Sequence, residues 1–363
     1  MERAENNLYV LSQYSANENH AGYSCLYDLN LQFEEIGAKI IPMRLLYKND
    51  DMRFKARLRR KQCKDITLDF NAHSIPSGST LILLIYTPRY LAALQNLKPL
   101  NRFEKIAVYF LDGFDSKSLD GINFSMLDHV DYFFFAIEEM VEDFRALGKK
   151  DSYFVPFGID ALRYAPCSFE RHISLLSYGR SNTKYHRYFE REFGELDSSI
   201  MYVHSTFDTS KLFDQGEHRR LHWKTLLRSK ITLCFEPVNV DRFHGRSPVL
   251  YRWFECLAAG SVILGTRPKC ASANDILSWE GSTIEIEKSE PSAVEQIRQL
   301  LSDQKALDEI SWANRFWALK RHDWRYRLKD IFEHIQIPIP PKLTSNISKV
   351  ELAHEHLYKN LKR

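Results

Sequence analysis

The chain of 363 residues is 44% hydrophobic and 27% charged, with a formal net charge of +3. That length exceeds one typical core and fits two domains, and the composition excludes disorder. The mild charge argues against a nucleic-acid partner while leaving room for a locally basic face that receives phosphates.

The opening stretch MERAENN is polar, carries both charge signs and lacks the apolar core of a secretion signal. No apolar run approaches the ~20 residues of a membrane span. Strands are predicted at Leu8–Leu11, Lys39–Pro42, Thr80–Tyr86, Ile106–Phe110 and Tyr132–Phe135. They are apolar without polar alternation, the pattern of strands buried on both faces of a parallel sheet. Helices are predicted at 22–36, 52–63, 89–95 and 138–147. The loop 12–24 between the first strand and its helix contains one glycine, Gly22, and the imidazole of His20. The stretch 52–64 holds seven basic residues in thirteen and is a candidate for peripheral contact with an anionic membrane. A solvated helix or a site for an acidic glycan explains it equally. Asp112 follows the strand Ile106–Phe110, where a carboxylate can take a proton from an acceptor hydroxyl. Asp112-Gly113 is also an ordinary turn dipeptide.

Tyr153 to Asp160 ends a strand in Pro, Gly and Asp, a change of chain direction. A domain boundary near 160–170 follows, giving an N-terminal domain 1–165 and a C-terminal domain 166–321. The second half repeats the alternation, with strands at Ile173–Tyr178, Ile200–His204, Ile231–Phe235, Ser261–Leu264 and Thr283–Ile286 and helices between them. Strand and helix alternating twice over imply an α/β protein with two doubly wound sheets. The polar loop after the strand at 173–178 carries Gly179 and two cations, Arg180 and Lys184, suited to a diphosphate. Glu236 follows the next strand end, and the polar loop behind it brings His244, Arg246 and Ser247. A helix over 248–259 carries Arg252 and Glu255 and stops at Gly260, a residue suited to a left-handed cap. A helical tail over 322–363 is interrupted at Gln336–Pro341, with a last helix from about Lys349 to Asn360. Six cysteines at 25, 63, 167, 234, 256 and 270 form no Cys-x-x-Cys pair and read as reduced thiols of a cytoplasmic protein.

Arg246 to Gly265 resembles the donor-binding helix of GT-B glycosyltransferases, and Arg252-Trp253-Phe254-Glu255 resembles the "Arg-x-Phe-Glu" form of spore-maturation-type group 1 transferases. The better-known retaining pattern has a second glutamate eight positions earlier, where this chain has Ser247. The resemblance implies two facing Rossmann-like domains, with the tail packing back across them. It implies a donor site built from Gly179, Arg180, Lys184, Glu236, His244, Arg246, Ser247, Arg252, Glu255 and Gly260, with Glu255 on the donor ribose. The N-terminal domain would take the acceptor near Gly22, with His20 and Asp112 as catalytic candidates. The implied activity is transfer of a sugar from a nucleotide-sugar to a hydroxyl of a glycan or lipid-linked acceptor. The alternatives are a nucleotide-sugar 2-epimerase of the same fold and a non-catalytic nucleotide-sugar-binding protein. Without an Asp-x-Asp or a His/Cys ligand cluster, no metal and no other cofactor is expected. The expected location is cytoplasmic, with peripheral contact at the inner membrane face through 52–64.

Overall fold

A computed structural model describes residues 7–14, 20–45, 66–68, 70, 74–114, 119, 121–180, 182–204, 212–237 and 240–361. The predicted helix at 52–63 and the basic stretch 52–64 lie outside these residues.

The described residues form two sheets. The first contains β1 (Leu8–Ser12), β2 (Lys39–Leu45), β3 (Ile66–Leu68), β4 (Thr80–Ile85), β5 (Lys105–Phe110), β6 (Tyr132–Phe135) and β7 (Ser152–Phe154), in the order β3-β2-β1-β4-β5-β6-β7. All pairings are parallel except β2 with β3. β1, β4 and most of β5 are buried at every position, which is why they show no polar alternation. The order reverses at β1, which pairs with β2 on one side and β4 on the other. A crevice opens at such a reversal, beyond the carboxyl ends of the strands. The short strand β3 was not predicted, because three residues carry too little periodicity to register.

The second sheet contains β8 (Ile173–Ser177), β9 (Tyr202–His204), β10 (Ser229–Cys234), β11 (Val262–Gly265) and β12 (Ile284–Glu285), in the order β12-β11-β10-β8-β9, all parallel. Here the reversal falls at β8, between β9 and β10. The helices of eight or more residues are α1 (Ser24–Glu35), α2 (Glu139–Ala146), α3 (Thr183–Phe193), α4 (Gln215–Leu226), α5 (Tyr251–Ala259), α6 (Glu290–Ser302), α7 (Gln304–Arg321), α8 (Trp324–Ile335) and α9 (Pro341–Leu361). The stretch expected as a helix at 89–95 is instead a 3-10 segment, Pro88–Leu97. Leu175, Phe189, Ile231, Leu264 and Ile297 are among the side chains that fill the core of this half.

The chain divides into two compact units, and the first changes to the second between Pro156 and Phe157. Val240–His244 and Arg327–Thr344 belong to the first unit, and Ser345–Arg363 to the second. The stretch expected as a tail, 322–363, is thus divided between the two units. Ile159 donates to the carbonyl of His322 at 2.8 Å and accepts from Trp324 N–H at 2.9 Å, which ties the stretch after the boundary into the second unit. α9 begins at Pro341, not near 349. Proline lacks the N–H that a first helical position leaves unused, so the break predicted from the prolines is the start of the last helix.

Candidate functional site

At the reversal point of the second sheet, β8 ends at Ser177 and the chain turns through Tyr178, Gly179 and Arg180 before Asn182 caps α3. Gly179 adopts φ +64°, and a Cβ there would collide with the guanidinium of Arg252. Glycine is required on both counts. Arg252, in the first turn of α5, donates from Nη1 to the carbonyl oxygen of Arg180 at 2.8 Å, and its guanidinium lies 4.9 Å from the centre of the Tyr178 ring. Arg180 is half-buried.

Glu255, one turn further along α5, is 4% exposed. Its Oε1 accepts from Arg219 Nη1 at 2.6 Å and its Oε2 from Tyr178 Oη at 3.0 Å. His222 Nε2 lies 3.2 Å from Oε1, off the hydrogen-bond axis. Burial alone would raise this carboxyl's pKa. Arg219 and His222 overcome that and hold it well below the usual carboxylate range, so Glu255 is ionised at any working pH. Burial pushes the Tyr178 phenol well above its ordinary value, so it stays a donor. Arg219 and His222 come from α4, whose start is capped by Asp214 accepting from Glu217 N–H at 2.7 Å. The Arg219 guanidinium lies 5.6 Å from the Trp223 ring centre and 5.9 Å from that of Tyr251.

A second group lies beyond the carboxyl ends of β10 and β11. Glu236 accepts from Ser247 Oγ at 2.6 Å and from Lys269 Nζ at 2.9 Å. Lys269 N–H donates to Ser247 Oγ at 3.0 Å, which fixes the hydroxyl between acid and backbone. Pairing with Glu236 raises the Lys269 pKa.

Several expected site residues sit elsewhere. Lys184 Nζ is turned to Glu290 Oε2 at 3.1 Å and the carbonyl of Lys288 at 3.4 Å, which places it on α6 and not on Arg252 or Glu255. Gly260 ends α5 in a left-handed cap at φ 66°, and a Cβ there would lie 2.7 Å from Ser311 Oγ and 2.9 Å from Arg315 Cγ. It serves helix termination and the approach of α7, and it lies at the opposite end of α5 from Arg252. His244 is exposed and left-handed at φ 50°, and it belongs to the first unit, as do His20, Gly22 and Asp112. Arg246 is half-buried.

In the first unit, His20 Nδ1 accepts from Gly22 N–H at 2.8 Å, so the imidazole caps the turn that leads into α1. A Cβ on Gly22 would meet that ring at 2.8 Å. Tyr86 Oη donates to the carbonyl of Gly22 at 2.9 Å, and Asp112 is close enough to help raise the Tyr86 pKa, after burial and Cys25. Asp112 Oδ1 accepts from Gly113 N–H at 2.9 Å, the turn interaction that its Asp-Gly dipeptide allows.

Tyr178, Arg219, His222 and Lys269 did not stand out in the sequence. Arg219 and His222 are three apart on a predicted helix, a weak sign of a shared face.

Residues 206–333, which contain Arg219, Arg252 and Glu255, match the family described as glycosyl transferase-like. A search of curated proteins finds no match. Among solved structures, an α-glucosyltransferase in complex with UDP-glucose and DNA containing an abasic site superposes with a TM-score of 0.54 at 12% identity, covering 91% of this chain and 99% of that one. The same enzyme type in complex with UDP gives a TM-score of 0.56 at 11% identity, covering 91% and 99%. HepE of Anabaena, in complex with UDP and glucose, gives 0.55 at 10% identity, covering 90% and 99%. The fold is that of GT-B glycosyltransferases, and within it residues 206–333 are similar to the glycosyl transferase-like family. These matches also correct one expectation. Chains of this fold are found in complex with DNA, so the mild net charge does not exclude a nucleic-acid partner. Net charge averages over the surface and says little about a local basic face. No helix among the described residues is long and apolar enough to cross a membrane.

Proposed function

We propose that the protein is a glycosyltransferase whose second unit binds a nucleotide-sugar between the Gly179 loop and the start of α5. The observation that carries this reading is the Arg252–Arg180 contact at the sheet's reversal point, next to an ionised Glu255. Nucleotides bind at such points in open α/β sheets. Arg180 and Arg252 bring two guanidinium groups to a loop whose backbone is free to approach phosphates closely. Glu255 has lone pairs beyond those used by Arg219 and Tyr178, and these accept the ribose hydroxyls. Glu236 and Ser247 face the donor sugar. Lys184 reaches the diphosphate after leaving Glu290.

Sugar transfer goes to a hydroxyl of a glycan or lipid-linked acceptor, with Asp112 of the first unit accepting its proton. Cationic side chains neutralise the leaving diphosphate, and no divalent metal is required. The Arg252-x-Phe254-Glu255 arrangement makes spore-maturation-type group 1 transferases the favoured subgroup. Of the six cysteines, the five described are free thiols.

Uridine is the base to test first, since solved relatives of this fold hold UDP. The experiment is a thermal-shift screen of nucleoside diphosphates and their sugars, followed by turnover with an acceptor panel. A glycosylated acceptor supports transfer. Isomerisation of UDP-N-acetylglucosamine without acceptor would identify an epimerase, and binding with neither reaction would identify a binder.

A further inference from the structure

A cavity of about 360 Å³ lies at the amino end of the second sheet, lined among others by Arg171, Lys230, Arg315, Ser311, Glu170 and Asp308. Arg171 precedes β8 and Gly179 follows it, so this cavity and the Gly179 loop sit at opposite ends of one strand. Its lining carries three cations, Arg171, Lys230 and Arg315, against two acids, Glu170 and Asp308, an excess of one positive charge. Arg171 donates to the carbonyls of Ser229 at 2.5 Å and Ala259 at 2.6 Å, and to Ser311 Oγ at 3.3 Å. Arg315 donates to the carbonyls of Ser311 at 3.4 Å and Cys167 at 3.3 Å. All five acceptors are uncharged, and each guanidinium carries five N–H groups. Neither acid of the lining accepts a hydrogen bond from either arginine, although Asp308 is near enough to act on both by charge. Glu170 lies 3.7 Å from His172, and Asp308 accepts from Gln304 Nε2 at 2.9 Å. Burial and then the nearby Arg315 push the Arg171 pKa down to about 10, against the opposing charge of Asp308. Two partly desolvated guanidinium groups that repel one another, with a lysine beside them, leave an excess of positive charge that suits an anion.

We propose that this cavity binds a phosphate-bearing small molecule, separate from the donor nucleotide, between Arg171, Arg315 and Lys230. Guanidinium forks match phosphate oxygens in pairs, and an ammonium adds a point charge. The volume falls at the lower end of small-molecule sites, ~300–1,000 Å³, so an organic phosphate fits where a bare ion would leave space. Arg171 also holds the last carbonyl of α5, the helix that bears Arg252 and Glu255. An occupant that draws on Arg171 therefore acts on the end of that helix.

The test titrates inorganic pyrophosphate into the full chain by calorimetry. Wild type is compared with Lys230→Ala, Arg315→Gln and, as a control for the donor site, Arg180→Ala. A binding event should persist in Arg180→Ala and weaken at least tenfold in Lys230→Ala and Arg315→Gln, with UDP binding unchanged in those two. Lys230 is half-buried and its side chain joins no hydrogen bond or ion pair among the described residues, so Lys230→Ala decides if Arg315→Gln does not fold. Pyrophosphate binding that vanishes in Arg180→Ala, or that ignores Lys230→Ala, would overturn the proposal and leave the arginines as caps of Ser229, Ala259 and Cys167. Failure of UDP to bind any variant would count against the donor reading alone, since the pyrophosphate comparison does not depend on it.

Discussion

The guanidinium of Arg252 fills the space that a side chain on residue 179 would need, and holds the next residue's carbonyl at 2.8 Å. The glycine and the arginine are one device: a left-handed turn that closes only because Gly179 has no Cβ. Gly179→Ala meets both the backbone penalty, roughly 1–2 kcal/mol, and the collision. The loop should move away from Arg252, raising the donor KM about tenfold or more, while the melting temperature falls by only a few degrees. Steady-state kinetics at saturating acceptor measure this, and an unchanged KM would separate the loop from the donor.

Glu255→Gln should be costly to the fold. A carboxylate that met only the donor ribose in an open cleft would leave stability nearly unchanged on substitution. The structure instead buries it with Arg219, and removing one partner of a buried pair typically costs about 3–5 kcal/mol. The pH dependence has a definite sign. The folded carboxyl sits well below its ordinary value of 4.5, so its stabilisation is complete above about pH 5 and fades as pH falls further. The gap in melting temperature between wild type and Glu255→Gln should therefore be constant from pH 8 to 5 and narrow toward pH 3. A gap that widens in acid would refute the ion pair. With donors, wild type should prefer ribose over 2′,3′-dideoxyribose, and the variant should lose most of that preference.

Gly158→Ala tests the stretch that follows the domain boundary. A Cβ there would come within 2.8 Å of the Trp324 ring, a side chain with no exposure. Overpacking of this kind costs about 1–3 kcal/mol. Chemical denaturation should show a lower midpoint with an unchanged slope, and wild-type stability would mean that Trp324 has room to shift.

Activity should survive excess EDTA if, as proposed, Arg180 and Arg252 supply the positive charge that a metal would bring to the diphosphate. Loss of turnover in EDTA, restored by Mn²⁺ or Mg²⁺, would show the opposite.

What the sequence discloses here is what local chemistry dictates. The apolar runs of β1, β4, β8 and β10 and the glycine stop of α5 are patterns of neighbouring residues. Gly179, Arg180, Arg252 and Glu255 were named together because of a family resemblance, and the structure brings them to one end of β8. The partners of Glu255 were not, since Arg219 and His222 reach it from a helix more than thirty residues away in the chain. Lys184 shows the converse. Its spacing suits a phosphate loop, but Glu290 of α6 competes for the ammonium. His20 is similar, because its Nδ1 is spent on the Gly22 N–H.

The central claim is that a nucleoside diphosphate binds where Arg252 meets the Gly179 loop. Calorimetric titration of UDP, GDP and ADP into wild type, Arg180→Ala and Arg252→Ala tests it most directly. A charge-assisted hydrogen bond is worth about 1.5–3 kcal/mol, so each variant should weaken the preferred diphosphate on the order of tenfold to a hundredfold. Equal affinity in folded wild type and both variants, or no binding by any of the three nucleotides, would contradict the account.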